Sequence, residues 1–266
     1  VLDLAGKTAL VTGASAGIGQ ELARVLAREV VTLVLVARRR DRLEALSDEL
    51  RSAWPRLRVL VRDVDVSDRR ATQAMLDELA AEGEVIDVLI NNAGLGDYGL
   101  FEYAEWSKLE RMLEVNVVGA TFLLNRVVPS MVERGFGAIL NVGSFAGIVP
   151  SPGMGVYSAT KAYVNHLSAC LSAELAGTGV SVTVLCPGPV ETEFQAVAGT
   201  GARPPMPRSF YVDVTACAEE AVQALKRRKA RLIPGAAVKV AALSIEALPK
   251  AVLRPVLART AKRIRN

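Results

Sequence analysis

Short apolar runs alternate along this chain with longer stretches in which apolar residues recur every three or four positions. The short runs are strand-sized and fall at residues 8–11, 32–36, 58–62, 85–90, 137–142, 181–185 and 231–233. Most are near-continuous Val, Ile and Leu, which is what a strand buried on both faces requires. The stretches between them predict helices over residues 18–28, 41–53, 68–81, 108–134, 156–176 and 215–228. Strand and helix in strict alternation imply an α/β fold, a doubly wound parallel sheet of about seven strands. Asp41 is the expected N-cap of its helix. The stretch 187–207 is the one long irregular segment, a length that usually marks a functional lid. After residue 233 the pattern turns helical, with Pro249 and Pro255 expected as breaks. The reading is one domain: a dinucleotide-binding and catalytic part over 1–233, and a helical extension over 234–266.

The first strand runs straight into Thr12-Gly13-Ala14-Ser15-Ala16-Gly17-Ile18-Gly19 and then a helix. Glycines permit a tight turn and close backbone approach, and a helix N-terminus presents unpaired N–H groups, so the segment suits a pyrophosphate. A dinucleotide site often carries an acid after the second strand to hold a free ribose 2′-OH. Here the sequence reads Val36-Ala37-Arg38-Arg39-Arg40. Guanidiniums at that place favour a 2′-phosphate, through paired and charge-assisted hydrogen bonds. The expected cofactor is therefore NADP(H) in preference to NAD(H), with Arg38 and Arg39 as the discriminating pair.

Further along, Asn91-Asn92-Ala93-Gly94 follows the fourth strand, at the carboxyl edge where open sheets bind ligands. Asn116 lies inside a predicted helix, a costly place for an amide without a task. Ser144 follows the fifth strand, and Tyr157-Ser158-Ala159-Thr160-Lys161 sets Tyr157 and Lys161 one helical turn apart. Reducing a ketone needs a hydride on carbon and a proton on oxygen. A free phenol has a pKa near about 10, so Tyr157 needs help as a general acid/base, and a nearby ammonium would supply it. Ser144 would hydrogen-bond the substrate oxygen as charge develops on it. As a hydrolase nucleophile Ser144 fails, because Val142 stands where the elbow motif has glycine.

In order and spacing these elements resemble the short-chain dehydrogenase/reductase family over about residues 5–233, including its NADP-dependent carbonyl and 3-oxoacyl reductase-like branch. The resemblance implies a Rossmann-like fold. It implies cofactor contacts from Gly13, Ser15, Ala16, Gly17, Ile18 and Gly19, from Asp65 and Val66, and from Asn92, Ala93 and Gly94. Pro187, Gly188, Val190 and Thr192 are implied as well, Thr192 at the nicotinamide carboxamide. Lys161 is implied to hold the nicotinamide ribose, and Asn116 to position a water in a proton relay to Lys161. One departure is Val30-Val31, where relatives usually turn through glycine. The function expected is a ketone/secondary-alcohol oxidoreductase. The alternatives are a 3-oxoacyl thioester reductase of lipid metabolism, or a nucleotide-sensing binding protein without turnover. Met154, Phe194, Val197 and Met206 are candidates for an apolar lid over an acyl chain or a bulky ketone.

Composition narrows the rest. The 266 residues are 51% apolar and 23% charged, which excludes a disordered chain. A lone His166 and three scattered cysteines, Cys170, Cys186 and Cys217, predict no metal site and no disulfide framework, and a reducing, cytoplasmic setting. No stretch approaches the roughly 18–20 continuous apolar residues of a membrane span, and the first seven residues lack a signal-peptide pattern. The net charge of +4 hides an asymmetry: residues 226–266 hold twelve Lys/Arg against one acid, Glu246, while the rest hold 20 against 27. A basic tail on an acidic body suggests an anionic membrane surface, an acidic acyl carrier or a second subunit, not nucleic acid. A peripheral membrane contact would use an apolar side made of Val238, Ala241, Leu243, Ile245 and Leu248. The other partners expected are a small carbonyl or hydroxyl substrate and a second copy of the chain, as a homodimer or homotetramer.

Overall fold

The computed structural model describes residues 1–198, 207–248 and 250–265. Seven parallel strands form one sheet: β1 Thr8–Thr12, β2 Thr32–Val36, β3 Arg58–Arg62, β4 Ile86–Asn91, β5 Gly137–Val142, β6 Val180–Leu185 and β7 Arg231–Leu232. Their order is β3-β2-β1-β4-β5-β6-β7. The winding reverses between β1 and β4, and that reversal opens a crevice at the carboxyl ends of the two strands.

Side chains alternate across the sheet, so each central strand feeds two cores. Ala9 and Val11 of β1, with Leu33 and Leu35 of β2, join one buried cluster. That cluster includes Leu22 and Leu26 of helix α1 (Gly17–Leu26), Leu43, Leu46 and Leu50 of α2 (Arg40–Ala53), and Val222 and Leu225 near residues 214–226. Leu10, Val34 and Val36 point to the other face. There they meet Met75 and Leu79 of α3 (Arg69–Ala81) and a long helical run that starts at Trp106.

That run is α4 (Trp106–Leu113), a π-helical turn over Glu114–Gly119, and α5 (Ala120–Glu133). By length and composition it could cross a membrane, but Leu123, Leu124, Val127 and Met131 are buried in the second core, as in a core helix. The π-turn brings Gly119 against the backbone of β3's following loop: a Cβ there would lie 2.4 Å from the Val66 carbonyl. Beyond β5 come α6 (Gly155–Glu174), the short α7 (Phe194–Val197), α8 (Val214–Lys226), α9 (Ala236–Ala247) and α10 (Lys250–Arg265).

The structure corrects several local expectations. Arg39, not Asp41, is the N-cap of α2; Asp41 sits in the first turn, where an acid suits the positive end of the helix. The turn at Val30-Val31 needs no glycine, because neither residue adopts positive φ, and the Val31 amide donates to the Lys7 carbonyl at 3.1 Å. Pro255 does not break the last helix, which runs through it; Pro249 lies outside the described residues. The apolar side drawn from α9 is divided: Val238 is buried with Val184, Cys186 and Ile233, whereas Leu243 and Leu248 are exposed.

Inside α10 Pro255 lacks the N–H that would close one helical hydrogen bond. Pro255→Ala should therefore slow amide exchange across residues 250–265 by roughly tenfold or more. Unchanged exchange there would mean that packing, and not backbone bonding, limits the opening of α10.

Candidate active site

The crevice at the strand ends opens into a cavity of about 690 Å³. One end is the glycine turn. The N-cap of α1, Ala16, makes no side-chain cap bond, and the first turn carries no acid, so its amides are available to an anion. Gly13 and Gly17 have positive φ, and a Cβ on Gly13 would meet the Asn92 amide at 2.8 Å. Gly19 does not face the cavity; it lets α1 close on the turn, where a Cβ would lie 2.4 Å from the Gly13 carbonyl. A residue the sequence reading left out of the site is Thr12. Its hydroxyl accepts from the Asn92 and Ala93 amides at 2.9 and 3.0 Å, while the Asn92 side chain donates to the Thr12 carbonyl at 2.8 Å. The two loops that form the crevice are thereby tied together.

Arg38 and Arg39 line this end, and Arg40 turns away to Glu44 and Asp63. Arg39 bonds the Ser15 hydroxyl at 3.2 Å and pairs with Glu193, which also meets Arg42 at 2.7 Å. Arg38 lies 3.8 Å from Asp65. Burial pushes the Asp65 carboxyl up, but the Ser67 hydroxyl and amide, with Arg111 and Arg38, outweigh it and hold the group below the usual range. Val66, Ala93, Pro187, Gly188, Val190 and Thr192 also line the cavity. The donors and cradle present here suit a dinucleotide with a phosphate near the arginines.

The other end is the catalytic constellation. Tyr157 and Lys161 stand one turn apart on α6, both buried, with the Lys161 Nζ 5.9 Å from the phenol ring. Lys161 donates to the Val142 carbonyl at 2.7 Å. Gly94 leaves room beside the ammonium: a Cβ there would lie 3.3 Å from Nζ, a tight approach. Burial lowers Lys161 from the usual 10.5 to about 8, opposed only by a small interaction with Cys186. Burial raises the Tyr157 phenol, and a hydrogen bond with the Ser144 hydroxyl works in the opposite direction. Ser144 is set by its own turn, its Oγ accepting the Ala146 amide at 3.0 Å, and its carbonyl accepts from Asn165 at 3.1 Å.

Asn116 lies behind the wall and not on the cavity. Its Oδ1 accepts the Leu95 amide at 2.8 Å, and its Nδ2 donates to the Leu95 carbonyl and to Thr160 at 2.9 and 3.0 Å. The whole amide is thus committed to clamping the Gly94–Leu95 loop after β4 onto α6. Cys186 is buried, with its thiol pushed up to about 12 by desolvation, and His166 is exposed on α6. Met154 and Phe194 line the cavity; Met206 and the side chain of Val197 fall outside the described residues.

A lysine lowered to about 8 on folding costs stability at neutral pH, where both states are protonated. That cost, on the order of 3 kcal/mol, fades as pH rises from the folded toward the unfolded value. Lys161→Met should therefore stabilise the free protein at pH 7 by about 1–3 kcal/mol in urea unfolding. Its advantage over wild type should shrink near pH 10. A variant less stable at pH 7 would show that the ammonium is well solvated by its surroundings.

Comparison with known proteins agrees with this geometry. Residues 7–202 match the family described as short chain dehydrogenase. Sulfoacetaldehyde reductase 2 of Chromohalobacter salexigens is 38% identical over 224 residues, 81% of this chain and 85% of that one. The NADP-dependent 3-hydroxy acid dehydrogenase of Salmonella typhi is 42% identical over 195 residues, 72% of this chain and 76% of that one. A short-chain dehydrogenase from Sphingobium yanoikuyae, solved in complex with NADPH, superposes with a TM-score of 0.80 at 34% identity, covering 92% of this chain and 97% of that one. This chain belongs to the short-chain dehydrogenase family and is an oxidoreductase of the kind that works with a nicotinamide dinucleotide.

Proposed function

We propose that the protein interconverts a ketone and a secondary alcohol with NADP(H), Tyr157 acting as general acid and base. The observation that carries the reading is the convergence of Tyr157, Ser144 and Lys161 on one end of a cleft whose other end holds Arg38 and Arg39. The relatives named for NADP and NADPH support the choice of cofactor.

The bound cofactor supplies the hydride. The protein's own residues supply everything else. Gly13 to Ile18 hold the pyrophosphate at the α1 N-terminus, and Arg38 and Arg39 grip a 2′-phosphate. Asn92, Ala93 and Gly94 leave room beside the backbone, and Pro187 to Thr192 cover the opposite side. Ser144 orients the carbonyl oxygen and stabilises charge on it. Tyr157 delivers the proton from its hydroxyl to that oxygen, and Lys161 favours the phenolate left behind. Asn116 acts through position, by fixing the wall against which Lys161 packs.

The direct test is a panel of ketones and alcohols followed by nicotinamide absorbance. Turnover of 3-oxoacyl thioesters with none of simple ketones would replace the substrate class within the same chemistry; no turnover with any carbonyl would favour a binding protein. Tyr157→Phe should lower kcat by about 10³-fold or more while leaving NADPH affinity within roughly twofold. Arg38→Asp should raise the NADPH KM by at least about tenfold and leave NADH nearly unaffected. An unchanged preference between the two cofactors would remove Arg38 from the site.

A further inference from the structure

Past Tyr157 the cavity continues into a compartment that the tail of the chain closes. Val256, Leu257, Thr260 and Ile264 of α10 line it. The helix is amphipathic in the matching sense: Leu253, Leu257, Thr260, Ala261 and Ile264, spaced three and four apart, are half-buried, while Arg254, Arg259, Lys262 and Arg263 are exposed. Ile264 reaches the loop before α6, where a Cβ on Gly153 would lie 3.1 Å from its Cδ1 and equally close to the Tyr98 ring. Arg265 pairs with Glu102 at 2.8 Å and ties the far end of the helix to the loop after β4. The apolar face of the basic tail is thus turned onto this chain's own active site.

The compartment's chemistry is one-sided. Among the described residues, the charged groups lining the cavity are Arg38, Arg39, Asp65 and Glu193 at the dinucleotide end, and Lys161 beneath Tyr157. None belongs to the described wall beyond Tyr157, where the Phe194 ring stands 5.5 Å from the phenol ring; Met154 and Leu257 add apolar surface, and Tyr98, Gln195 and Tyr211 contribute uncharged polar groups. The Thr260 hydroxyl is turned back to the Val256 carbonyl at 3.2 Å, and the Ser151 hydroxyl to Val149 at 3.1 Å. A carboxylate or sulfonate entering this space would lose its water and find no cation among the described residues of this wall. An aryl or alkyl group would gain by leaving water.

We propose that α10 is a wall of the substrate compartment, and that it selects an uncharged, hydrophobic carbonyl compound over one bearing a carboxylate or sulfonate. The proposal rests on the reductase reading above and names its substrate class. The test compares 4-phenyl-2-butanone with 4-oxopentanoate, which present the same methyl ketone with a phenyl or a carboxylate group, in the full-length protein with NADPH. The aryl ketone should have a kcat/KM higher by about tenfold or more. Leu257→Arg and Ile264→Asp should each lower that value, mainly through KM, and Leu257→Arg should also improve the oxo acid. NADPH affinity should stay unchanged in both, which shows that the fold is intact. Equal or better turnover of the oxo acid by wild type, or an unchanged ratio in both variants, would overturn the proposal. Should neither ketone react although NADPH binds, the reductase reading fails; quenching of nicotinamide fluorescence in the NADPH complex then decides the wall. Tighter binding of the aryl ketone upholds it, and no difference overturns it.

Discussion

A buried ammonium one helical turn from a buried phenol sets the terms for the rest of the molecule. Desolvation drives both groups toward their neutral forms, the lysine down to about 8 and the tyrosine above its ordinary value. Neither state is useful alone for moving a proton at neutral pH. What surrounds the pair acts on both groups: the Val142 carbonyl receives the ammonium, the Ser144 hydroxyl works against the rise of the phenol, and Gly94 puts no side chain beside the ammonium. Val142 and Ser144 stand at the end of β5 and Gly94 follows β4, so neighbouring strands must pair before the chemistry exists.

The same constraint explains where conformational freedom is withdrawn. Thr12 ties the glycine turn to Asn92 and Ala93, and Asn116 ties Leu95 to Thr160 on α6. These bonds join loops after β1 and β4 to the helix that carries Tyr157. They hold two walls of the cleft at fixed separation with no contribution from a ligand. The free protein thus holds two buried titratable groups inside a hydrogen-bonded frame, as a preorganised site does.

Much of this was legible in the chain. Near-continuous apolar strands such as Leu33 to Val36 announced a sheet covered on both faces, and residues 32–36, 58–62 and 137–142 agree with the observed β2, β3 and β5. The glycine turn, Ser144 and the Tyr157–Lys161 pair were readable because backbone freedom and side-chain chemistry leave a local pattern. The π-turn around Asn116 was not, since an i→i+5 bond has no residue signature and the segment reads as one long helix. Asn116's commitment to Leu95 and Thr160 was hidden for the same reason. Pro255 read as a break, yet a proline five residues into α10 forfeits a single bond, which tertiary packing tolerates. The partners of α10 were invisible because its apolar spacing at 253, 257, 261 and 264 says which face is buried and not against what.

The central claim of the proposed function is that the phenol of Tyr157, held above its ordinary range by burial, would be brought toward neutral pH by the positive charge of an oxidised nicotinamide added to that of the Lys161 ammonium. A ¹³C-ζ tyrosine titration followed by NMR, with Tyr157→Phe used to assign the resonance, measures that directly. In the free protein Tyr157 should titrate above the ordinary tyrosine range, and addition of NADP⁺ should move its midpoint below that range. A midpoint that stays high with NADP⁺ bound would contradict the account.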